Sequence, residues 1–143
     1  MKAKSLLILL VAVFAAVSCN KYPDGPGLSL RSKKARLANS WVVTYYEENG
    51  QDKTNDFRNA FVNYNMVIHK EGNYSVFYRP FNLADHNEAG TWDFTDDKTS
   101  VTFMNSANNE TSTWKILKLM ESELWAQFTD SSTVSIVHLA PKP

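Results

Sequence analysis

The chain has 143 residues, and 15 basic side chains balance 15 acidic ones. That balance gives no electrostatic reason to expect a nucleic-acid partner, and the length suits one domain. A single cysteine excludes an internal disulfide framework, while 4 Trp, 6 Tyr and 8 Phe supply bulk for a core without one.

Lys2 and Lys4 open the chain, and an unbroken apolar run of 12 residues follows from Leu6 to Val17. A membrane span needs about 20 apolar residues, so this run has the layout of a cleaved secretion signal. Ala16-Val17-Ser18-Cys19 closes it with small residues and the only cysteine. The pattern resembles a bacterial lipoprotein signal, in which the cysteine is lipidated and becomes the new N-terminus. The usual Leu three places before the cysteine is Ala16 here. The other reading makes Cys19 the end of an ordinary signal with a free thiol. The resemblance implies a signal peptide over 1–18, lipid attachment at Cys19 and a lipidated tether over 19–31. Palmitate-type acyl chains there would anchor the chain far more firmly than one chain can. Asn20, rather than Asp, after the cysteine looks like an outer-membrane lipoprotein, with either face open. Loss of Lys2 and Lys4 leaves 13 basic against 15 acidic residues.

Pro23, Gly25, Pro26 and Gly27 deny Asn20–Leu30 a helix or strand, which fits a tether. Ser32–Asn39 then predicts one or two helical turns, with Ser32 as N-cap and Asn39 as stop. Arg31, Lys33, Lys34 and Arg36 form a basic cluster there, read either as a solvated helix face or as a patch for anionic lipid.

From Ser40 onward the hydrophobic period is two. Eight strands are predicted: Ser40–Glu48, Tyr64–Lys70, Asn73–Arg79, Gly90–Phe94, Thr99–Met104, Thr111–Met120, Glu123–Thr129 and Thr133–Ala140. Long connections (Asn49–Asn63, Pro80–Ala89, Asn105–Glu110) alternate with tight turns. In an up-and-down meander this puts loops at one end, and tight turns with both ends of the domain at the other. Loops on a rigid scaffold commonly build binding sites.

The run Ser32-Lys33-Lys34-Ala35-Arg36-Leu37 leads into Asn39-Ser40-Trp41. With it go Gly90-Thr91-Trp92, Glu123-Leu124-Trp125 and the ending His138-Leu139-Ala140-Pro141-Lys142. In these residues the chain resembles the lipocalin-like lipoproteins of bacteria. A Gly-x-Trp entry is usual for lipocalins, and Asn39 stands in the glycine place. The resemblance implies an all-β domain over 32–143. Its form would be an eight-stranded antiparallel up-and-down barrel, calycin-type, that can hold a small apolar molecule.

Period two places Trp41, Val43 and Tyr45 on the inner face. Met66, Ile68, Trp92, Phe94, Val101, Phe103, Trp114, Ile116 and Leu124 join them. Thr111–Met120 is apolar on both faces, so a bulge could change its register. With so many large aromatics a filled lower half is expected, and any pocket should be shallow and near the mouth. Candidate ligand-binding residues are Tyr45, Phe57, Phe61, Tyr78, Phe81 and Leu83. Phe57 and Phe61 lie one helical turn apart, and with Phe81 and Leu83 they either plug the rim or cover a ligand.

His69, His86 and His138 fit no metal-binding spacing, and Asp85-His86-Asn87-Glu88 reads either as a polar loop or as a loop that touches a cation. No nucleophile elbow, phosphate loop or dinucleotide fingerprint occurs, so no enzyme activity and no cofactor are expected. Two functions remain: a lipid-anchored envelope module that binds a small hydrophobic or amphipathic ligand, or a lipoprotein with a filled barrel that meets a protein partner.

Overall fold

The computed structural model describes residues 30–143. The expected signal peptide over 1–18, the expected lipid attachment at Cys19 and the expected tether up to residue 29 lie outside the described residues. The chain enters through helix α1 (Lys33–Leu37), and Ser32 caps it by accepting the Ala35 amide at 3.1 Å. Five residues make a marginal helix in water, so packing must hold it. Leu37 is wholly buried, and Trp41 Nε1 donates to its carbonyl at 2.9 Å. Arg36 is buried as well, which removes it from the basic surface cluster. Lys34 Nζ lies 5.6 Å from the centre of the Trp92 ring, so this face packs on the barrel.

Eight strands close into an antiparallel barrel, as period two predicts. They are β1 (Ser40–Glu48), β3 (Phe61–Ile68), β4 (Asn73–Pro80), β5 (His86–Phe94), β6 (Ser100–Asn105), β7 (Thr111–Leu119), β8 (Leu124–Asp130) and β9 (Thr133–Pro141). Each pairs with the next, and β1 pairs with β9 from Trp41↔Pro141 to Glu48↔Ser135. The tight turns after β3, β5 and β7 share one end with α1 and the end of β9. Connection lengths alone had placed them there.

Two segments sit in the first long connection. Asn49 and Gly50 both have positive φ, 48° and 80°, and turn β1 into the short strand β2 (Gln51–Asp52). Helix α2 (Thr54–Ala60) follows. Between β1 and β3 only Ser40↔Val67 and Trp41↔Met66 pair. Above Trp41 the two strands part, and α2 lies across the opening. Arg58 there donates to the Thr44 carbonyl at 3.1 Å, so the helix supplies a partner that β3 does not.

The ladder departs from simple alternation in three places: on β1 between Val43 and Tyr45, on β3 between Val62 and Asn65, and on β7 between Ile116 and Lys118. The β7 shift was foreseen as an option for a strand apolar on both faces. The β1 shift was not, and it corrects the placement of Tyr45. The extra residue, Thr44, turns Tyr45 outward and Tyr46 inward. Tyr45 therefore packs on His138 outside the barrel, with ring centres 4.8 Å apart.

The third connection is also shorter than expected. His86–Ala89 continues β5 and pairs with Ser75–Tyr78, although its polar residues do not favour strand. Cross-strand pairing outweighs propensity here. Arg79 Nε to Asp85 Oδ1 at 2.6 Å closes that hairpin. Farther down, a Cβ at Gly90 would stand 1.9 Å from the Met104 carbonyl oxygen and 2.7 Å from the Tyr74 ring. Only glycine permits that approach.

Below this level the barrel is filled. Trp41, Leu37, Ile68, Ile116, Leu119, Leu124, Leu139 and Val101 are essentially without solvent contact. Trp92 closes the floor on one side, its Nε1 donating to the His69 carbonyl at 2.8 Å. Trp41, Met66, Ile68, Trp92, Val101, Phe103, Ile116 and Leu124 are all buried inward, as expected. Val43, Phe94 and Trp114 pack against them from half-buried positions.

Candidate functional site: an aromatic cup at the loop end

Above Met66 the interior opens into a cavity of about 820 Å³ that reaches the loop end. Two aromatic walls face each other. One comes from α2, β3 and β4: Phe57 and Phe61 pack with ring centres 4.7 Å apart, and Phe61 meets Tyr78 edge-on at 5.1 Å. Tyr64 stands behind them, 5.3 Å from Phe57. The other wall comes from β6, β7 and β8: Trp114 stacks on Phe128 at 5.0 Å and meets Phe103 at 5.2 Å. Edge-to-face and offset pairs of this kind hold rings in fixed places. The floor is Met66, Tyr74, Val76 and Phe103.

Polar groups share the lining with the rings, among them three carboxylates, the tyrosine hydroxyls and the hydroxyl run Thr111-Ser112-Thr113. Glu88, on the inner face of β5, accepts the Tyr74 hydroxyl at 2.6 Å. Tyr46 donates to Glu48 at 3.0 Å and shares a hydrogen bond with the buried Ser135 at 3.1 Å. Asn105, Glu110, Ser112 and Asp130 line the cavity nearer the rim. Burial holds the hydroxyls of Tyr46, Tyr64, Tyr74 and Tyr78 above the usual phenol value, and the Glu88 charge adds to the effect on the last three. These phenols stay neutral donors at physiological pH.

Of the six candidate ligand-binding residues, Phe57, Phe61 and Tyr78 line this cavity. Tyr45 does not, because the β1 bulge turns it outward. Phe81 and Leu83 do not line it either: on the tip after β4 they are 70% and 81% exposed. Phe57 and Phe61 form part of the wall and leave the mouth open. The residues that sequence reasoning passed over are Tyr46, Tyr64, Tyr74, Glu88 and Phe128. Tyr64, Tyr74 and Phe128 carried a usable signal, since each lies at even spacing from an inward residue on its own strand. Glu88 carried none, because its segment read as a loop. The segment Asp85–Glu88 splits its partners among Arg79, the Tyr78 ring and the Tyr74 hydroxyl. Among the described residues no cluster of three metal-ligating side chains occurs.

The cavity is larger than the shallow pocket expected, and the parting of β1 and β3 is the cause. A smaller cavity of about 160 Å³ remains in that parting, between Val42, Val43 and the α2 residues Phe57 and Arg58.

No family model matches the chain, and no curated protein matches it. Solved structures do. A lipocalin-like protein from Bacteroides uniformis superposes with a TM-score of 0.54 at 15% identity, over 75% of this chain and 99% of its own. An uncharacterized protein from Bacteroides eggerthii gives 0.52 at 9% identity, over 72% and 98%. At such low identity the likeness speaks for the backbone alone. Together with the closed eight-stranded antiparallel meander, it makes the fold of the described residues a lipocalin-like barrel.

Proposed function

We propose that the chain is a lipid-anchored lipoprotein of the cell envelope whose barrel binds a small hydrophobic or amphipathic molecule at its loop end. The observation that carries the ligand reading is the aromatic cup of about 820 Å³ above a filled floor. Ligand sites typically span ~300–1,000 Å³, and this cup falls in that range, with aromatic walls and polar side chains that can orient an amphipathic ligand. The anchor rests on Cys19 at the end of the apolar run. Outer-membrane attachment rests on Asn20.

Strand direction supports an orientation. The tether leaves from the tight-turn end, where α1 lies, so the cup opens away from the anchored end. About a dozen tether residues reach at most ~40 Å at ~3.3–3.6 Å each. The mouth then faces a soluble ligand rather than the bilayer that holds the protein. Exposed Phe81 and Leu83 beside the mouth favour a second reading, in which the loop end meets an envelope protein.

Native mass spectrometry of protein purified from its own host separates these readings. A small-molecule adduct lost on unfolding supports ligand carriage. A bound protein that Phe81→Ser and Leu83→Ser displace supports the second reading. For the anchor, Cys19→Ser is expected to release the domain from the membrane fraction or leave the precursor unprocessed. Unchanged membrane attachment would overturn the lipoprotein assignment.

A further inference from the structure

The charges around the cup have one sign. Glu88, Glu110 and Asp130 all line it, whereas no Lys, Arg or His does. Cationic side chains near the loop end are engaged elsewhere. Arg58 donates to the Thr44 carbonyl, Lys53 pairs with Asp56 at 3.1 Å, and Arg79 pairs with Asp85. His86 lies against the Tyr78 ring at the rim, outside the lining. The neutral tyrosines add no positive charge.

Glu88 is the deepest of the three carboxylates. It faces inward two pairs above Gly90, and only one hydrogen bond, from Tyr74 to Oε1, satisfies it from within the described residues. A carboxylate has about four acceptor positions, so it can take a ligand donor besides. Low-dielectric aromatic walls focus the field of these acids into the cavity. Ring faces attract cations on their own account, Trp most strongly, and Trp114 and Phe128 line the same cavity as Glu88. An anionic head group such as a fatty-acid carboxylate meets the reverse: three like charges, no cation to pair with, and a desolvation cost left without compensation.

We propose that the cup selects a cationic amphiphile, with an apolar body between the two aromatic walls and an ammonium group at Glu88, and that it rejects anionic lipids. This rests on the reading of the cup as a ligand site. Phe57 and Phe61 on one side and Phe103, Trp114 and Phe128 on the other hold the body, while Glu88 fixes the charged end. Glu110 and Asp130 at the rim draw the cation in and keep anions out.

The experiment titrates purified residues 19–143, carrying Cys19→Ser, with dodecylammonium, dodecanol and dodecanoate below their micellar concentrations. Calorimetry reads the binding at low salt and again at high salt. Dodecylammonium is expected to bind at least tenfold more tightly than dodecanol, and dodecanoate more weakly than either. Glu88→Gln keeps an acceptor for Tyr74 and is expected to shrink the ratio of dodecylammonium to dodecanol affinity severalfold. Asp130→Asn, at the rim, is expected to shrink it less. Circular dichroism confirms that each variant is folded. Equal affinities for the three probes would overturn charge selection yet leave a ligand-binding cup. Tighter binding of dodecanoate would overturn it outright. No binding of any probe would overturn both the selection and the ligand reading.

Discussion

The two halves of this barrel use the same strands and the same alternation, yet one is packed solid and the other holds a cavity. In the lower half β1 is bonded on both sides, to β3 and to β9, and α1 closes the end. Opposite side chains there meet across a narrow section, and Trp41, Leu37, Leu119 and Leu124 exclude solvent. In the upper half β1 keeps β9 but leaves β3 after Trp41. The circumference gains the width of α2, and large rings that would have met now stand apart. Eight strands leave an interior that side chains can fill or that can take one small ligand. Here the parting of one strand pair decides between those outcomes within a single barrel.

Removing the keystone of the packed half is the largest perturbation available. Trp41→Ala deletes a fully buried indole and its bond to the Leu37 carbonyl, so α1 loses its attachment as well. A loss of about 3–5 kcal/mol is expected from a denaturant titration. A loss under about 1 kcal/mol would mean that the lower half is not close-packed.

Trp114→Ala tests the open half in the same way. The Trp114 ring is half-buried against Phe103 and Phe128, and it lines the cup. Its loss is expected to cost about 1–2 kcal/mol, in the ordinary range for a side chain that leaves no sealed void. Binding of an apolar probe should suffer more than stability does. If Trp114→Ala cost as much as Trp41→Ala, the contrast between the halves would fail.

Most of this architecture was legible in the residues. Period two from Ser40 onward located all eight strands, and the alternation of loop and turn lengths identified the open end. The inward residues followed by parity, with Trp41, Ile68, Trp92 and Phe103 as examples. What escaped were events that parity cannot see. Thr44 carries no mark of the bulge that turns Tyr45 outward, because Thr, Tyr and Tyr suit either face of a strand. His86–Glu88 reads as loop, and only its pairing with β4 makes it strand and brings Glu88 into the wall. The parting of β1 from β3 is a three-dimensional fact with no local signature, so the size of the cup could not be anticipated. Phe81 and Leu83 misled for the opposite reason, since apolar residues on a loop tip need not face the site.

The neutral tyrosines of the cup predict a response to alkali. Burial comes first among the causes that raise Tyr64 and Tyr74, and the bond to Glu88 comes next for Tyr74. A phenol whose folded value is raised stabilises the fold fully below its unfolded value near ~10, and that contribution fades as pH climbs toward the folded value. Thermal stability is therefore expected to hold through neutral pH and fall above about pH 10. Tyr64→Phe is expected to blunt that fall without altering behaviour at pH 7. An identical alkaline fall in the variant would show that Tyr64 does not sit in a dry wall.

The smallest expected effect lies outside the barrel, where the bulge at Thr44 has sent Tyr45. His138 there stacks on Trp125 with ring centres 4.1 Å apart, and Tyr45 covers it from the β1 side. Lys118 Nζ stands 4.3 Å from the centre of the Trp125 ring and pairs with Glu123 at 2.7 Å. Desolvation between the two rings is the main cause that lowers His138 below its usual value, and the Lys118 charge acts in the same direction. Glu123 and Glu47 oppose them without reversing the shift. For a base whose folded value is depressed, the stabilising contribution is present above the unfolded value near ~6.5 and is lost as pH falls through the folded one. Stability is accordingly expected to decline slightly between about pH 7 and pH 5, and His138→Gln is expected to remove that part of the decline. Tyr45→Ala re-exposes the imidazole, so its NMR titration midpoint should move back toward the ordinary histidine range, while the affinity of the cup for an apolar probe stays unchanged. The same substitution at Tyr46, one residue along and on the inner face, should change probe affinity and leave the His138 midpoint in place. If Tyr45→Ala altered the cup instead, the bulge would not divide these neighbouring tyrosines between the two faces of the barrel.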